Sequence, residues 1–337
     1  MKAEGTGHGK LILFGEHAAV HGHPAIGLPL DCSVTVTWSE GIGGTSNSDT
    51  AVIPQQAEGG ILDDDAAAFG DLLAVLAARR PALRHSGGTW SILGNVPRTG
   101  GFGSSAALCV ALARLVLARP DRGYDREVHI LAHELERRFH GSPSGIDTGM
   151  AGDEGPAAWR KSNDGVPDRV PLTIPELPLL FGALPRSAPT AKTVAGLATR
   201  LHSGDRTVSH AMSGLGNISE EFIDLCGGDS GTSGGREPRA RPSDFALQVG
   251  NLAERAQSLL AALGLSTTDL EELLRLAKDL GAVGGKLSGG GKGGAFFLCP
   301  PDRSVRERLA DRLPPLLAAR NIVLAHPLTP LDAGTPR

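Results

Sequence analysis

Residues 97–107 read Pro-Arg-Thr-Gly-Gly-Phe-Gly-Ser-Ser-Ala-Ala, and a long apolar segment follows them directly. This segment predicts an α-helix over residues 104–118, whose first N–H groups are unpaired and whose N-terminus carries partial positive charge. Three glycines before the helix leave backbone N–H groups unobstructed by side chains, so that several of them can face one anion. They are Gly100, Gly101 and Gly103. The stretch therefore predicts a loop that binds phosphate.

Two serines follow these glycines. Ser104 and Ser105 are expected at the N-cap of the predicted helix, where their hydroxyls can hold a phosphate oxygen or a divalent cation. A glycine-rich turn that is only capped by serine has the same local sequence. Considered alone, the loop leaves both interpretations open.

Two other phosphate-binding motifs are excluded by their context. A Walker loop requires GxxxxGK followed by Ser or Thr, and neither Lys286 nor Lys292 stands in that frame. Residues 101–106 satisfy the GxGxxA pattern of dinucleotide-binding folds, and Asp121 follows 20 residues after the first glycine. Such folds place the acidic residue at the end of a second strand, whereas Asp121 lies in a predicted turn between two helices.

A second motif brings two carboxylates close together in the chain. Residues 140–147 read His-Gly-Ser-Pro-Ser-Gly-Ile-Asp, and their proline and glycine predict a sharp turn that positions the Asp147 carboxylate. Glu136 precedes this turn on a helix predicted over residues 125–139. Taken singly, an aspartate after a turn is a common cap and a helical glutamate a common solvated residue.

A third motif places charge at both ends of an apolar strand. Residues 10–17 read Lys-Leu-Ile-Leu-Phe-Gly-Glu-His and predict a buried strand over residues 10–14. Lys10 opens the strand, and Glu16 and His17 follow it. Solvation of the strand ends would explain each charged residue by itself.

Residues 284–294 form a second glycine cluster, which precedes a predicted strand over residues 295–298. So few side chains beside a strand indicate that the backbone packs against something flat or highly charged. A flexible hinge is the alternative, but flexible linkers seldom adjoin a buried strand.

The remaining pattern predicts a two-domain α+β protein, or one built of α/β two-layer sandwiches. Further strands are expected over residues 33–38 and 89–93. Further helices are expected over residues 66–79, 190–202, 206–225, 243–262, 268–281 and 303–319. Residues 151–180 are proline-rich and irregular, which places a boundary between domains at 1–165 and 175–330. Residues 41–60 and 227–243 are polar and aperiodic and predict exposed loops.

Composition limits the class of protein. The 337 residues include 33 Lys and Arg against 37 Asp and Glu, a formal net charge of −4, which argues against a nucleic-acid partner. The four cysteines are far apart in the chain, so a CxxC metal site is excluded and free thiols in a cytoplasmic protein are expected. The N-terminus lacks a signal-peptide core, and no apolar stretch is long enough to span a membrane.

Together, these motifs in this order resemble those of the GHMP kinases, and within that family they are most similar to the mevalonate kinases. The segments that carry the resemblance are 10–25, 97–107, 136–147, 185–193 and 285–294. The chain departs from the family pattern at Phe102, where leucine is usual. The resemblance implies two α+β domains: an N-terminal domain with a left-handed βαβ crossover that binds ATP, and a ferredoxin-like C-terminal domain.

The resemblance also implies roles for individual residues. Asp147 would be the catalytic carboxylate with Lys10 as its charged neighbour, and the loop from Gly100 to Ser105 would bind the triphosphate of ATP. Ser105 and Glu136 would hold Mg²⁺. The residues near the acceptor would be Glu16, His17 and Thr193.

The implied reaction is the ATP- and Mg²⁺-dependent phosphorylation of mevalonate to 5-phosphomevalonate, with a homodimer as a possible assembly. A phosphomevalonate kinase or another small-alcohol kinase is the alternative, since Arg98, Arg186 and Lys192 offer positive charge for a phosphorylated acceptor. A non-catalytic ligand sensor on the same fold is a third reading. A sensor would be expected to lack the Lys10 and Asp147 pair, and the chain has both.

Overall fold

The part of the chain that the computed structural model describes contains two antiparallel sheets, eight α-helices and a few further helical positions between residues 72 and 79. The described residues are 2–39, 72, 75, 76, 78, 79, 89–97, 100–119, 123–140, 143–162, 166–188, 190–227 and 242–333. The expected loop at 41–60 and most of that at 227–243 lie outside them. Of the helix expected over 66–79, the five described positions are helical.

The first sheet contains five strands, of which the second is the longest. They are β1 (Lys2–Phe14), β2 (Ala25–Ser39), β3 (Thr89–Gly94), β4 (Ala157–Arg160) and β5 (Asp168–Pro171). One edge of β2 pairs with β1, while its other edge pairs with β4 near its start and with β3 near its end. Because β3 and β4 are both antiparallel to β2, they run parallel to each other.

The connection from β3 to β4 carries three helices of the N-terminal half. They are α1 (Ser104–Leu117), α2 (Arg126–His140) and α3 (Ile146–Ala151). The connection is therefore a crossover between parallel strands, as the resemblance implied. Helix α1 lies directly on β1, because an added Cβ at Gly7 would overlap the carbonyl oxygen of Ala107. Only glycine lets a strand and a helix backbone approach so closely.

The second sheet contains four strands in the order β7-β8-β6-β9. They are β6 (Leu177–Leu184), β7 (Gly284–Leu287), β8 (Gly294–Cys299) and β9 (His326–Ala333). Counted within this half of the chain, the order is 2-3-1-4 with all pairs antiparallel, which is the order of the ferredoxin-like fold. The prediction of a ferredoxin-like C-terminal domain is confirmed.

Helices connect the strands of this second sheet. Between β6 and β7 lie α4 (Thr190–His202), α5 (Arg206–Leu225), α6 (Pro242–Ala262) and α7 (Thr268–Asp279), and between β8 and β9 lies α8 (Arg303–Ala318). Every residue of β6 and β8 is buried, so these central strands form the core of the second half. The predicted helices whose bounds the structure describes are confirmed within a few residues at each end.

Several strands differ from expectation, and β1 and β2 each begin eight residues before the starts predicted at Lys10 and Ser33. The segment 151–180 is not irregular throughout, because it contains β4 and β5, and the first sheet extends to Pro171, beyond the boundary expected at 165. Strand β7 lies inside the second glycine cluster, and β9 contains two prolines. A strand of four residues, or an edge strand with proline, has no recognisable sequence periodicity. Such a strand forms because it pairs with a neighbouring strand of the sheet.

The four cysteines are all described and all are free thiols, as expected. Within the described ranges, no helix combines the length and the apolar character that crossing a membrane would need.

Candidate active site

The predicted phosphate loop forms a tight backbone turn at the start of α1. Gly101 and Gly103 have φ angles of 87° and 80°, in the left-handed region that favours glycine. Gly103 is the N-cap of α1 and makes no side-chain cap hydrogen bond. The expectation that Ser104 and Ser105 form the N-cap is therefore wrong. They are the first two residues of the helix, because the left-handed turn at Gly103 begins it one residue earlier.

Lys10 joins β1 to this loop and to Asp147. Its backbone N–H donates to the Phe102 carbonyl oxygen at 2.8 Å, and an added Cβ at Gly103 would lie 2.9 Å from its Cγ. Its ammonium nitrogen is 2.8 Å from Oδ1 of Asp147. The Lys10 side chain is 6% exposed, whereas that of Asp147 is 43% exposed. The structure thus brings together Lys10, Asp147 and the glycine loop, with the carboxylate accessible to a ligand.

A turn at Gly145 holds Asp147 in this position. Gly145 has a φ of 76° and is the N-cap of α3, so Asp147 is the second residue of that helix. The Gly145 carbonyl oxygen accepts hydrogen bonds from the Thr148 hydroxyl at 3.0 Å and from Nε2 of His129 at 2.7 Å. The latter bond requires the tautomer protonated at Nε2. Burial lowers the pKa of His129 to about 4, so the ring is neutral at physiological pH.

Glu136 projects from α2 into the same region and is buried, not solvated. Its Oε2 makes no hydrogen bond with any described residue. Burial, together with the Asp147 carboxylate, raises its pKa to about 8, and the Lys10 ammonium and a hydrogen bond with Thr148 act in the opposite direction. Cys109 lies one helical turn beyond Ser105 on α1, and the charge of Glu136 acts on its thiol. Helices α1 and α2 pack against each other, and this interaction places Glu136 on the side of α2 that faces α1.

Glu16 is buried, and its partner comes from the second glycine cluster. Its Oε1 accepts a hydrogen bond from the Lys286 ammonium, while its Oε2 makes none with the described residues. Burial raises the pKa of Glu16, and the charge of Lys286 lowers it. Lys286 was not among the residues predicted for the site. The only signal for it was a lysine in a glycine cluster beside a buried strand.

The other residues expected near the acceptor are His17 and Thr193. His17 has a φ of 61°. Burial lowers its pKa to about 4, and hydrogen bonding with the backbone of Gly289 and Gly290 partly offsets this. The His17 ring therefore contacts the second glycine cluster. Thr193 is half-buried in the first turn of α4, and its placement near an acceptor stays a prediction.

Arg186 is a component of the site that the sequence suggested only as a partner for a phosphorylated acceptor. It follows β6, and its guanidinium fills the space beside two glycines, so that an added Cβ would overlap it at Gly101 and lie 2.5 Å from its Nε at Gly294. Burial lowers its pKa, and the Asp147 carboxylate opposes this. A cation thus lies between the two glycine loops and close enough to Asp147 to feel its charge.

Comparisons with known proteins agree with this geometry. The family models for the N-terminal and C-terminal domains of the GHMP kinases match residues 55–152 and 245–316. A mevalonate kinase from Methanothermobacter thermautotrophicus is 30% identical over 318 residues, which cover 89% of this chain and 91% of that protein. The chain belongs to the GHMP kinase family.

Solved structures show that this GHMP kinase shares its fold with kinases that are named for different acceptors. The crystal structure of L. major mevalonate kinase in complex with R-mevalonate aligns with a TM-score of 0.68 at 23% identity, covering 92% of each chain. A Streptococcus pneumoniae phosphomevalonate kinase aligns with a TM-score of 0.69 at 15% identity, covering 98% of this chain and 99% of that one. The fold alone therefore does not select the acceptor.

Proposed function

We propose that this GHMP kinase transfers the γ-phosphoryl group of ATP to the 5-hydroxyl of mevalonate and forms 5-phosphomevalonate. The proposal of phosphoryl transfer rests on the contact of Lys10 with Asp147 beside the glycine loop at the start of α1. The choice of mevalonate rests on relatives, since the Thermococcus onnurineus protein that is 28% identical over 90% of both chains is also named mevalonate kinase.

The acceptor alcohol is a poor nucleophile while it keeps its proton. Asp147 is the exposed member of the pair, so its carboxylate can accept that proton or orient the hydroxyl for attack. The buried Lys10 ammonium favours the negative charge that develops on the oxygen. Asp147 is thus the proposed catalytic carboxylate and Lys10 its electrostatic partner.

The phosphoryl group needs several positive groups around it, because positioning and charge stabilisation supply most of the acceleration in this chemistry. The backbone N–H groups from Gly100 to Ser105 and the N-terminus of α1 provide them on one side. Arg186, which contacts both glycine loops, provides a guanidinium on the other. The proposed triphosphate site therefore lies between the loop and β6.

The site also fits a divalent cation. Glu136 offers a buried carboxylate oxygen that lacks a hydrogen-bond partner among the residues described, and Ser105 offers a hydroxyl on the facing helix. In the described part of the chain, no three His, Cys, Asp or Glu side chains cluster as metal ligands. Mg²⁺ is commonly held by one or two protein ligands together with substrate phosphates, and it would neutralise the charge of the β- and γ-phosphates here.

The acceptor pocket is proposed to lie beside the end of β1. Glu16 and His17 are both buried there, and Lys10, which contacts Asp147, is close enough to lower the pKa of Glu16. Thr193 would border this pocket from the start of α4. Glu16 would then bind a hydroxyl of the acceptor, since its Oε2 is a buried acceptor atom.

A coupled assay of ADP release tests the proposal, with mevalonate, phosphomevalonate, homoserine and galactose as acceptors. We expect mevalonate to give the highest kcat/KM and the Asp147→Asn variant to lose most of its turnover with it. A preference for phosphomevalonate would instead favour the second candidate kinase. Absence of turnover with all four acceptors would favour a ligand sensor.

A further inference from the structure

We propose that Lys286 is a positioning residue for the acceptor: its ammonium binds one oxygen of Glu16 and thereby presents the other, Oε2, to an acceptor hydroxyl. The inference rests on the proposed function and deepens it. It assigns a role to a residue in the C-terminal sheet that would not touch the substrate.

Lys286 has no donor left for a ligand. Its ammonium donates to Glu16 Oε1, to the Leu13 carbonyl oxygen at 3.1 Å and to the Leu287 carbonyl oxygen at 2.6 Å. A lysine ammonium has three N–H donors, so these three acceptors use all of them. The Lys286 side chain is 0% exposed, which also excludes direct contact with a substrate that enters from solvent. Its effect on the reaction must therefore pass through Glu16.

Two aromatic rings also lie beside the ammonium. The rings of Phe14 and Phe297 lie 5.9 Å and 5.2 Å from the Lys286 nitrogen, close enough for cation–π attraction. The Cys299 thiol also faces Lys286, and burial raises its pKa to about 12, so it carries no charge. Within the described ranges, Glu16 is thus the only anionic partner of this buried lysine.

Glu16 is held by one oxygen only. Its Oε1 is bound by Lys286, whereas its Oε2 has no partner in the described residues although the whole residue is only 4% exposed. A buried carboxylate oxygen without a hydrogen bond is unfavourable, and a hydroxyl donor would relieve this cost. Because the Lys10 ammonium acts on Glu16 and also contacts Asp147, this oxygen lies near the reacting groups.

The strand that carries Lys286 is fixed to β1 along several contacts. The Ser288 hydroxyl donates to the Ile12 carbonyl oxygen at 2.9 Å and accepts from the Ile12 N–H at 3.1 Å. His17 contacts the backbone of Gly289 and Gly290. Lys286 is therefore presented to Glu16 by a rigid junction between the two sheets, which suits a positioning role.

The test compares Lys286→Met with the wild type in the ADP-release assay over a range of pH. Removing the ammonium raises the pKa of Glu16 further, so more of the carboxyl is protonated near neutral pH. We expect kcat/KM for mevalonate to fall on the order of 10- to 100-fold, mainly through KM, while KM for ATP is retained. In the plot of kcat/KM for mevalonate against pH, the acidic limb should move up by about one pH unit or more, so that higher pH partly restores activity.

The double variant Glu16→Gln/Lys286→Met guards against a loss of folding. Replacing both members of a buried ion pair by neutral residues is often tolerated, whereas removing one member is not. We expect the double variant to fold, to keep a low kcat/KM for mevalonate and to lose the shifted acidic limb. Recovery of the wild-type kcat/KM in the double variant would mean that the pair is only structural and would overturn the inference.

Arg169→Met is the matched control. Arg169 forms a partly buried ion pair with Asp153, whose side chain is 2% exposed, and neither residue belongs to the proposed site. This variant should lower Tm without changing the mevalonate KM or its pH profile. Wild-type turnover of mevalonate decides the proposed function, and the Lys286→Met profile decides the inference. An unchanged profile in that variant would refute the positioning role while the function stands, and an inactive wild type would overturn both.

Discussion

The Lys10 ammonium lies 2.8 Å from Oδ1 of Asp147, although β2, β3, α1 and α2 all lie between these residues in the chain. The contact forms because β1 and α3 meet at the same end of α1, where the glycine loop also lies. It unites a buried cation, an accessible carboxylate and an anion-binding backbone within one site.

Asp147→Asn should abolish most of the turnover and leave ATP binding intact. The amide cannot accept the acceptor proton, so we expect kcat to fall on the order of 10²- to 10⁴-fold. Steady-state kinetics and ATP titration by calorimetry measure the two effects. Asp224→Asn, at an exposed position on α5, is the control and should behave as the wild type. Turnover near the normal rate in Asp147→Asn would contradict the assignment.

Glu136 should make the stability of the metal-free protein depend on pH. Its pKa in the folded protein is raised from 4.5 to about 8, so the folded state binds its proton more tightly than the unfolded state. The stabilisation is therefore fully present at acidic pH and is lost as pH rises towards about 8. Thermal unfolding without Mg²⁺ should show Tm falling over this range in the wild type.

The variant Glu136→Gln should flatten that dependence, because it has no proton to lose. Glu134→Gln serves as the control, since Glu134 lies on the same helix but is partly exposed and paired with Arg79. The same linkage predicts that Mg²⁺·ATP binds the wild type more tightly as pH rises from about 6 to about 8. A Tm profile in Glu136→Gln with the same slope as the wild type would show that Glu136 is not the titrating group.

Gly7→Ala should destabilise the N-terminal half. The added methyl group would overlap the Ala107 carbonyl oxygen and push α1 away from β1. We expect the free energy of unfolding to fall by about 1–3 kcal/mol in urea titrations. Gly155→Ala, where an added Cβ meets nothing within 4 Å, is the matched control and should change it by less than about 0.5 kcal/mol. Equal stability of the two variants would contradict the close packing.

Arg186→Met should impair use of the nucleotide. Loss of the guanidinium between the two glycine loops removes positive charge from the proposed triphosphate site, and we expect kcat/KM for ATP to fall on the order of 10²-fold. Arg186→Lys keeps the charge without the planar fork and should recover only part of this loss. Arg303→Met on the exposed face of α8 should have no effect on kinetics. Normal ATP kinetics in Arg186→Met would exclude this role.

The helices could be predicted from the sequence because their signal is local. Apolar residues that recur with the helical period predicted α1 over 104–118, and the helix spans Ser104–Leu117. The same apolar pattern predicted only residues 10–14 of β1, although the strand begins at Lys2, because the glycines before residue 10 interrupt the pattern. Their function is to admit the backbone of α1, and this depends on a contact with residues about 100 positions away.

The resemblance to the GHMP kinases implied roles for Lys10, Asp147, Glu136 and Glu16, and these roles stay predictions. The structure brings the four side chains near one another, by distance or by the charges that act on them. The partners Lys286 and Arg186 were missed as structural parts of the site. Each is a single basic residue with no pattern of its own, and its role arises only from the elements that it touches.

Local sequence thus determined where helices begin and end, which backbone segments are free of side chains and which charged residues stand beside them, because these properties depend on neighbours within a few residues. The tertiary structure alone decided that Lys10 meets Asp147, that Lys286 meets Glu16 and that Glu136 is buried. Those relationships follow from the pairing register of the two sheets and the packing of α1 and α2, in which the free energy of burial is shared among residues remote in the chain.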